Sequence, residues 1–154
     1  MAKEIERKYL VNMALLATLP KGLRIVQGYI PTRDLTAVRV RIKGSCAYLT
    51  IKSANQGMTR QEFEYEIPVE DAQQMLHELC GDTLIDKTRY EIPMGNHIWE
   101  LDVFEGTNKG LVVAEIELTN ENESFDLPNW ITEEVTADER YYNSNLIQQP
   151  FINW

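Results

Sequence analysis

Seven short stretches of the chain could do chemistry. Six carry charged residues two apart: Glu4-x-Glu6-x-Lys8, Arg39-x-Arg41-x-Lys43, Glu62-x-Glu64-x-Glu66, Lys87-x-Arg89, Glu100-x-Asp102 and Glu115-x-Glu117. The seventh is Leu49-Thr50-Ile51-Lys52, which ends on a single lysine. In an extended strand residues i and i+2 share a face, so each stretch shows its charges to one side and apolar neighbours such as Val38, Val40 and Ile42 to the other. Ammonium and guanidinium groups suit phosphate oxygens, arginine in bidentate fashion. Carboxylates suit a hard divalent cation such as Mg²⁺ or Mn²⁺. A metal-bound polyphosphate presents both kinds of partner.

The elements that must position these residues are mostly strands. Alternation and β-branched or aromatic enrichment predict eight: Glu4–Leu10, Arg24–Ile30, Val38–Lys43, Ala47–Ser53, Gln61–Ile67, Ile85–Ile92, His97–Phe104 and Leu111–Leu118. Short Gly- and Asn-containing links, such as Gly44-Ser45 and Gly95-Asn96, imply antiparallel hairpins. Helices are expected over Met13–Leu19, capped by Asn12, over the amphipathic stretch Glu70–Cys80, and over Thr136–Gln149 with Asp138 near its start. Trp130, Phe151 and Trp154 are available as packing anchors in the tail.

Two placements of the charged face compete. In a half-buried antiparallel sheet it is simply the solvent face. Yet each strand carries charges mostly of one sign, and like charges side by side repel, whereas a face chosen for solubility mixes signs freely. The alternative is an α+β, β-dominated fold in which eight antiparallel strands close into a barrel, with helices packed outside and the charges lining the lumen. That lumen would hold Glu4, Glu6, Glu62, Glu64, Glu100, Asp102, Glu115 and Glu117 against Lys8, Arg39, Arg41, Lys52, Lys87 and Arg89. Such a cavity needs water, mutual pairing or a ligand of both signs, because an unpaired buried charge is strongly unfavourable. Whether Gln27 or Tyr29 also faces it is left open by the pattern of the second strand.

Composition narrows the function. The 154 residues suit one domain, residues 1–154, with a substantial core. A net charge of −9 disfavours a nucleic-acid binder, since phosphate backbones are held by excess Lys and Arg. No stretch approaches a membrane span and the first residues lack an apolar leader core, so a soluble, cytoplasmic protein is expected. Cys46 and Cys80 have no metal-ligand spacing. There is no Walker A or Gly-x-Gly-x-x-Gly loop, and His77 and His97 lack the partners of a nucleophilic triad, which leaves side chains to bind phosphate and water to attack it.

The N-terminal Glu-Ile-Glu-Arg-Lys resembles the Glu-x-Glu-x-Lys signature of the CYTH superfamily, the triphosphate tunnel metalloenzymes. The resemblance continues in order through "RVR", "LTIK", "EFEYE", "KTR", "ELD", "EIE" and "EVTADERYYN", over nearly the whole chain. It implies a divalent-metal-dependent triphosphatase built on an eight-stranded tunnel, with Mg²⁺ or Mn²⁺ as cofactor. Lys8, Arg39, Arg41, Lys52, Lys87 and Arg89 would grip the triphosphate, and Glu4, Glu6, Glu115 and Glu117 would hold the metal. Those six cations with Glu4, Glu6 and Glu117 would form the catalytic set. Glu62, Glu64, Glu100 and Asp102 would orient the bases or bind a second metal. The expected substrate is inorganic tripolyphosphate. A class IV adenylyl cyclase, a thiamine triphosphatase and a non-catalytic polyphosphate-binding module are the alternatives on the same scaffold. The expected partner is thus a small triphosphate, with neither nucleic acid nor membrane, bound by a monomer or homodimer.

Overall fold

The computed structural model describes residues 5–54, 61–81 and 84–154. Its strands are β1 (Ile5–Val11), β2 (Leu23–Ile30), β3 (Ala37–Lys43), β4 (Cys46–Lys52), β5 (Glu62–Ile67), β6 (Ile85–Met94), β7 (His97–Phe104), β8 (Val112–Leu118) and β9 (Ile131–Glu134). Each of the eight expected strands appears within two residues of its expected bounds. All pair antiparallel in one sheet, in the order β5-β4-β3-β2-β6-β7-β8-β1-β9. The β3–β4 and β6–β7 hairpins turn at Gly44 (φ +60°) and Gly95 (φ +62°), left-handed backbone that side-chain-bearing residues adopt only with strain.

The eight-stranded closed barrel is corrected in two respects: among the described residues the sheet has nine strands and no ladder closes it. Closure would require β5 to bond to the free edge of β1, but the tail occupies that edge as β9, with Tyr9 opposite Glu134 and Val11 opposite Ile131. Beyond β9 the tail stays on β1: Val135 N–H donates to the Lys8 carbonyl (2.8 Å) and Lys8 N–H to Thr136 Oγ1 (3.1 Å). The expected adjacency of the first and eighth strands does hold, with Glu6 opposite Glu117 and Lys8 opposite Glu115.

Two helix expectations also change. Asn12 does cap, accepting from Ala14 N–H at 3.1 Å, but the helix expected over Met13–Leu19 is one 3₁₀ turn, Met13–Leu15. Seven residues between a strand and Pro20 are too few to sustain a helix by themselves, and Leu16, packed with Met13 on the Tyr9–Trp99 cluster, is already extended. The helix expected over Thr136–Gln149 divides into a 3₁₀ turn, Glu139–Tyr141, and α2 (Asn143–Gln148), with Tyr142 extended between them (φ −69°, ψ 136°). Asp138 accepts from Arg140 N–H (3.1 Å), which closes the first turn locally and leaves Tyr142 to redirect the chain. The amphipathic stretch becomes α1 (Val69–Glu78) as expected.

Apolar residues pack both beneath and within the sheet. On the outer face, Ala72 and Leu76 of α1 bury Val40 and Ala47. Also outside, Trp99, Leu101, Ala114 and Ile116 pack with Tyr9 and Trp130, the Trp99 and Trp130 rings edge-to-face at 5.7 Å. The third cluster lies on the charged side's own parity: Ile85, Phe104 and Val113 meet Leu146 of α2, which is fully buried. The tail therefore stoppers one end of the inner face with an apolar plug.

Candidate active site

Residues directly opposite one another in an antiparallel pair share a face. The registers therefore carry the charged face from strand to strand: Lys8 opposite Glu115, Glu115 opposite Glu100, Asp102 opposite Arg89, Gln27 opposite Arg41, Tyr29 opposite Arg39, Thr50 opposite Glu64 and Lys52 opposite Glu62. The curved sheet wraps this face around a cavity of about 700 Å³. All six expected cations, Lys8, Arg39, Arg41, Lys52, Lys87 and Arg89, line it, as do Glu6, Glu62, Glu64, Glu100 and Glu115. Gln27 and Tyr29, left open by the sequence, both line it too. The charged face thus lines a cavity, and Glu6, Glu62, Glu64 and Glu117 lie at the solvent-exposed margins of that face.

Lys87 and Asp102 are the deepest charged pair. Lys87 has no exposed surface and Asp102 1%. Lys87 Nζ donates to Asp102 Oδ2 (2.9 Å) and to Asn143 Oδ1 (3.2 Å). Arg89 clasps the same carboxylate through Nε (2.8 Å) and Nη2 (2.9 Å), and its Nη1 reaches Glu100 at 2.7 Å. Burial alone would push the Asp102 carboxyl up, but Lys87 and Arg89 outweigh it and hold it at about 2. Burial pulls the Lys87 ammonium below its ordinary range against the pull of Asp102. Burial opposes the Arg89 charge as well, yet Asp102 and Glu100 raise its pKa above the ordinary arginine value.

At the β1–β8 side, Lys8 Nζ lies 3.4 Å from Glu115, donates to the Tyr141 carbonyl (3.0 Å) and sits 5.7 Å from the centre of the Tyr142 ring. Burial would raise the Glu115 pKa, but the Lys8 charge and a hydrogen bond from Glu6 bring it below the ordinary range. Two carboxyl groups that close must share a proton or a cation, and their oxygens are the hard donors a divalent metal takes. Glu117, opposite Glu6, is exposed and lines the adjoining cleft with Glu91 and Glu100 instead of the main cavity. Glu4 lies outside the described residues. Among the described residues, no three carboxylate, imidazole or thiol groups converge as a complete cation site.

Across the cavity, Arg41 Nε donates to Gln27 Oε1 at 2.6 Å. Burial, with the like charges of Arg39 and Arg89, lowers the Arg41 pKa to about 10. Arg39 Nη2 donates to Thr50 Oγ1 (3.4 Å), and that hydroxyl donates on to Glu64 (3.3 Å).

The tail supplies residues that strand alternation missed. Thr136, Tyr142, Asn143 and Ser144 line the cavity. They lie within or beside the "EVTADERYYN" run, a polar and aromatic sequence with no strand periodicity to reveal its facing. His97 pairs with Glu123 and His77 lies on α1, so both stand apart from the cavity lining.

Comparison with known proteins finds inorganic triphosphatases among the relatives of the chain. An inorganic triphosphatase from Acetivibrio thermocellus is 46% identical over 154 residues, covering 100% of this chain and 99% of that protein. An inorganic triphosphatase from Nitrosomonas europaea is 39% identical over 152 residues, covering 93% and 95%. A crystal structure of an inorganic triphosphatase superposes with a TM-score of 0.72 at 34% identity, covering 96% of this chain and 95% of that one. The model of the CYTH domain matches residues 2–148, which span all nine strands and every charged pair traced above, and the chain belongs to the CYTH domain family.

Proposed function

We propose that this protein hydrolyses inorganic tripolyphosphate to pyrophosphate and phosphate, using a divalent cation, Mg²⁺ or Mn²⁺. The observation that carries the reading is the convergence of six cations from four strands on one cavity also lined by carboxylates. The two curated relatives named inorganic triphosphatase support it. Tyr29 and Tyr142 are the aromatic rings among the described lining residues, so the walls are built for charge and offer little apolar surface to a nucleobase or thiazole.

Lys8, Arg39, Arg41, Lys52, Lys87 and Arg89 bind the phosphate oxygens and neutralise the charge that spreads over them as the anhydride bond breaks. Glu100 and Asp102 fix Arg89, and Asp102 fixes Lys87, so that these groups need not reorganise when substrate arrives. Glu62 and Glu64 stand beside Lys52 and Thr50 in register and serve as supporting carboxylates. Glu6 and Glu115, with Glu4 and Glu117, would hold the cation, which when bound supplies further neutralisation of phosphate charge and polarises an oxygen. Water is the nucleophile.

The deciding assay supplies tripolyphosphate, ATP and thiamine triphosphate separately with Mg²⁺ or Mn²⁺ and measures phosphate, pyrophosphate and cyclic AMP. Fastest cation-dependent release from tripolyphosphate is expected. Cyclic AMP from ATP, a faster reaction with thiamine triphosphate, or no cation-dependent release would each overturn the reading.

A further inference from the structure

Five of the six cations of the cavity fall into two classes by what holds them. Lys8, Lys87 and Arg89 each lie against a carboxylate. Among the described residues, Arg39 and Arg41 form no ion pair and are held by neutral groups, Thr50 and Gln27. Gln27 is 1% exposed and Thr50 has no exposed surface, so these are interior contacts between opposed strands. The usual partner of a buried guanidinium is a carboxylate, and glutamate has the size and reach of glutamine. An amide therefore stands where an ion pair would fit. At Thr50 the hydroxyl stands between Arg39 and Glu64, accepting from one and donating to the other. Among the described residues Arg39 Nε is buried with no partner, a donor whose desolvation none of them offsets.

We propose that Gln27 is a positioning residue that fixes Arg41 through a neutral amide, so that the guanidinium meets a polyphosphate with its charge uncompensated. The proposal rests on the reading of this cavity as a polyphosphate site. A carboxylate at the same place would hold Arg41 equally well in geometry, but would cancel most of its attraction for phosphate and repel the anion itself. Thr50 acts in the same sense on Arg39, as a spacer that keeps the Glu64 charge one hydrogen bond away. The two arginines then supply net attraction, while the carboxylate-bound cations chiefly supply fixed geometry.

The test is tripolyphosphate binding by titration calorimetry without divalent cation, so that no hydrolysis occurs, with thermal midpoints and Mg²⁺-dependent turnover measured on the same preparations. Gln27→Glu is expected to weaken the Kd about tenfold or more, and to raise KM by more than it lowers kcat, while the thermal midpoint stays at or above that of the parent. Gln27→Met removes the acceptor but leaves Arg41 charged; its Kd is expected within about threefold of the parent, with kcat reduced by loose placement. Equal affinity of Gln27→Glu and the parent overturns the proposal, as does a Gln27→Met variant that loses more affinity than Gln27→Glu. Should Gln27→Glu not fold, a tenfold or greater loss of affinity in Gln27→Met alone overturns it. A parent protein that binds tripolyphosphate without hydrolysing it defeats the triphosphatase reading and leaves the Kd ordering to decide this one. A parent that does not bind it defeats both.

Discussion

Lys87 keeps its place without any contact with bulk water because Asp102 and Asn143 replace the hydrogen bonds that water would make. Removing that support is therefore costly: Asp102→Ala is expected to lower stability by roughly 3–5 kcal/mol, the range for stranding one member of a buried pair, measured by urea unfolding at neutral pH. The Asp102 carboxyl is held at about 2, below its ordinary 3.8. It thus contributes stability that is fully present above the ordinary value and lost as pH falls through the folded value. The thermal midpoint of the parent should drop between pH 4 and pH 2, and Asp102→Asn, already weakened, should show a shallower drop. At the ligand-facing residues, Arg39→Ala and Glu6→Ala should each reduce tripolyphosphate turnover on the order of a hundredfold, the effect of losing one electrostatic group at a reacting centre. Combining Glu4→Ala with Glu6→Ala should abolish the response to added Mg²⁺; full Mg²⁺-dependent turnover in that double variant would remove the metal assignment. Charged members of the cavity were legible because strand alternation fixes their facing. Gln27, Thr50 and Asn143 carry no charge to mark them, and their contribution depends on which cation lies opposite, a matter of register that one strand alone does not disclose.

Elements were legible where a single period ran long enough, as in Val38 to Lys43 or Trp99 to Val103. They were misread where local chemistry interrupts a plausible helix, at Leu16 and at Tyr142. The second interruption matters most for the site. With Tyr142 extended, α2 begins at the cavity wall, placing Tyr142 near Lys8 and Asn143 against Lys87, while Leu146 anchors the same helix among Ile85, Phe104 and Val113. Packing and site geometry are consequently joined in six residues. Leu146→Ala is expected to cost about 2–5 kcal/mol, as for other buried leucines. It should also reduce turnover at temperatures well below its own midpoint, because the plug that carries Asn143 loosens. Activity and unfolding curves recorded on one preparation check both parts; full specific activity in a destabilised variant would separate the plug from the site.

For the molecule as a whole, the net charge of −9 and the anionic ligand are reconciled by concentrating six cations inside one cavity. Attraction must therefore be local, and salt should compete with it. At fixed free Mg²⁺, raising NaCl from about 10 mM to about 300 mM should increase the KM for tripolyphosphate several-fold as the screening length shortens; an unchanged KM would show that the charges are fully paired in the bound state. Eight of the strands and the adjacency of β1 and β8 were legible from alternation and the barrel pattern, but the ninth strand was not, because Ile131 to Glu134 are only four residues in a tail of weak periodicity, and without it nothing marked part of the β1 edge as taken. Their effect reaches beyond topology. A closed ring of strands must be threaded by the end of a chain, whereas among the described residues no hydrogen-bonded ladder joins β5 to β9. The wall bearing Glu62 and Glu64 thus ends in an edge with no backbone ladder to the opposite rim, so the strands themselves impose no end-on route on a polyanion, which need not be threaded like a bead on a string.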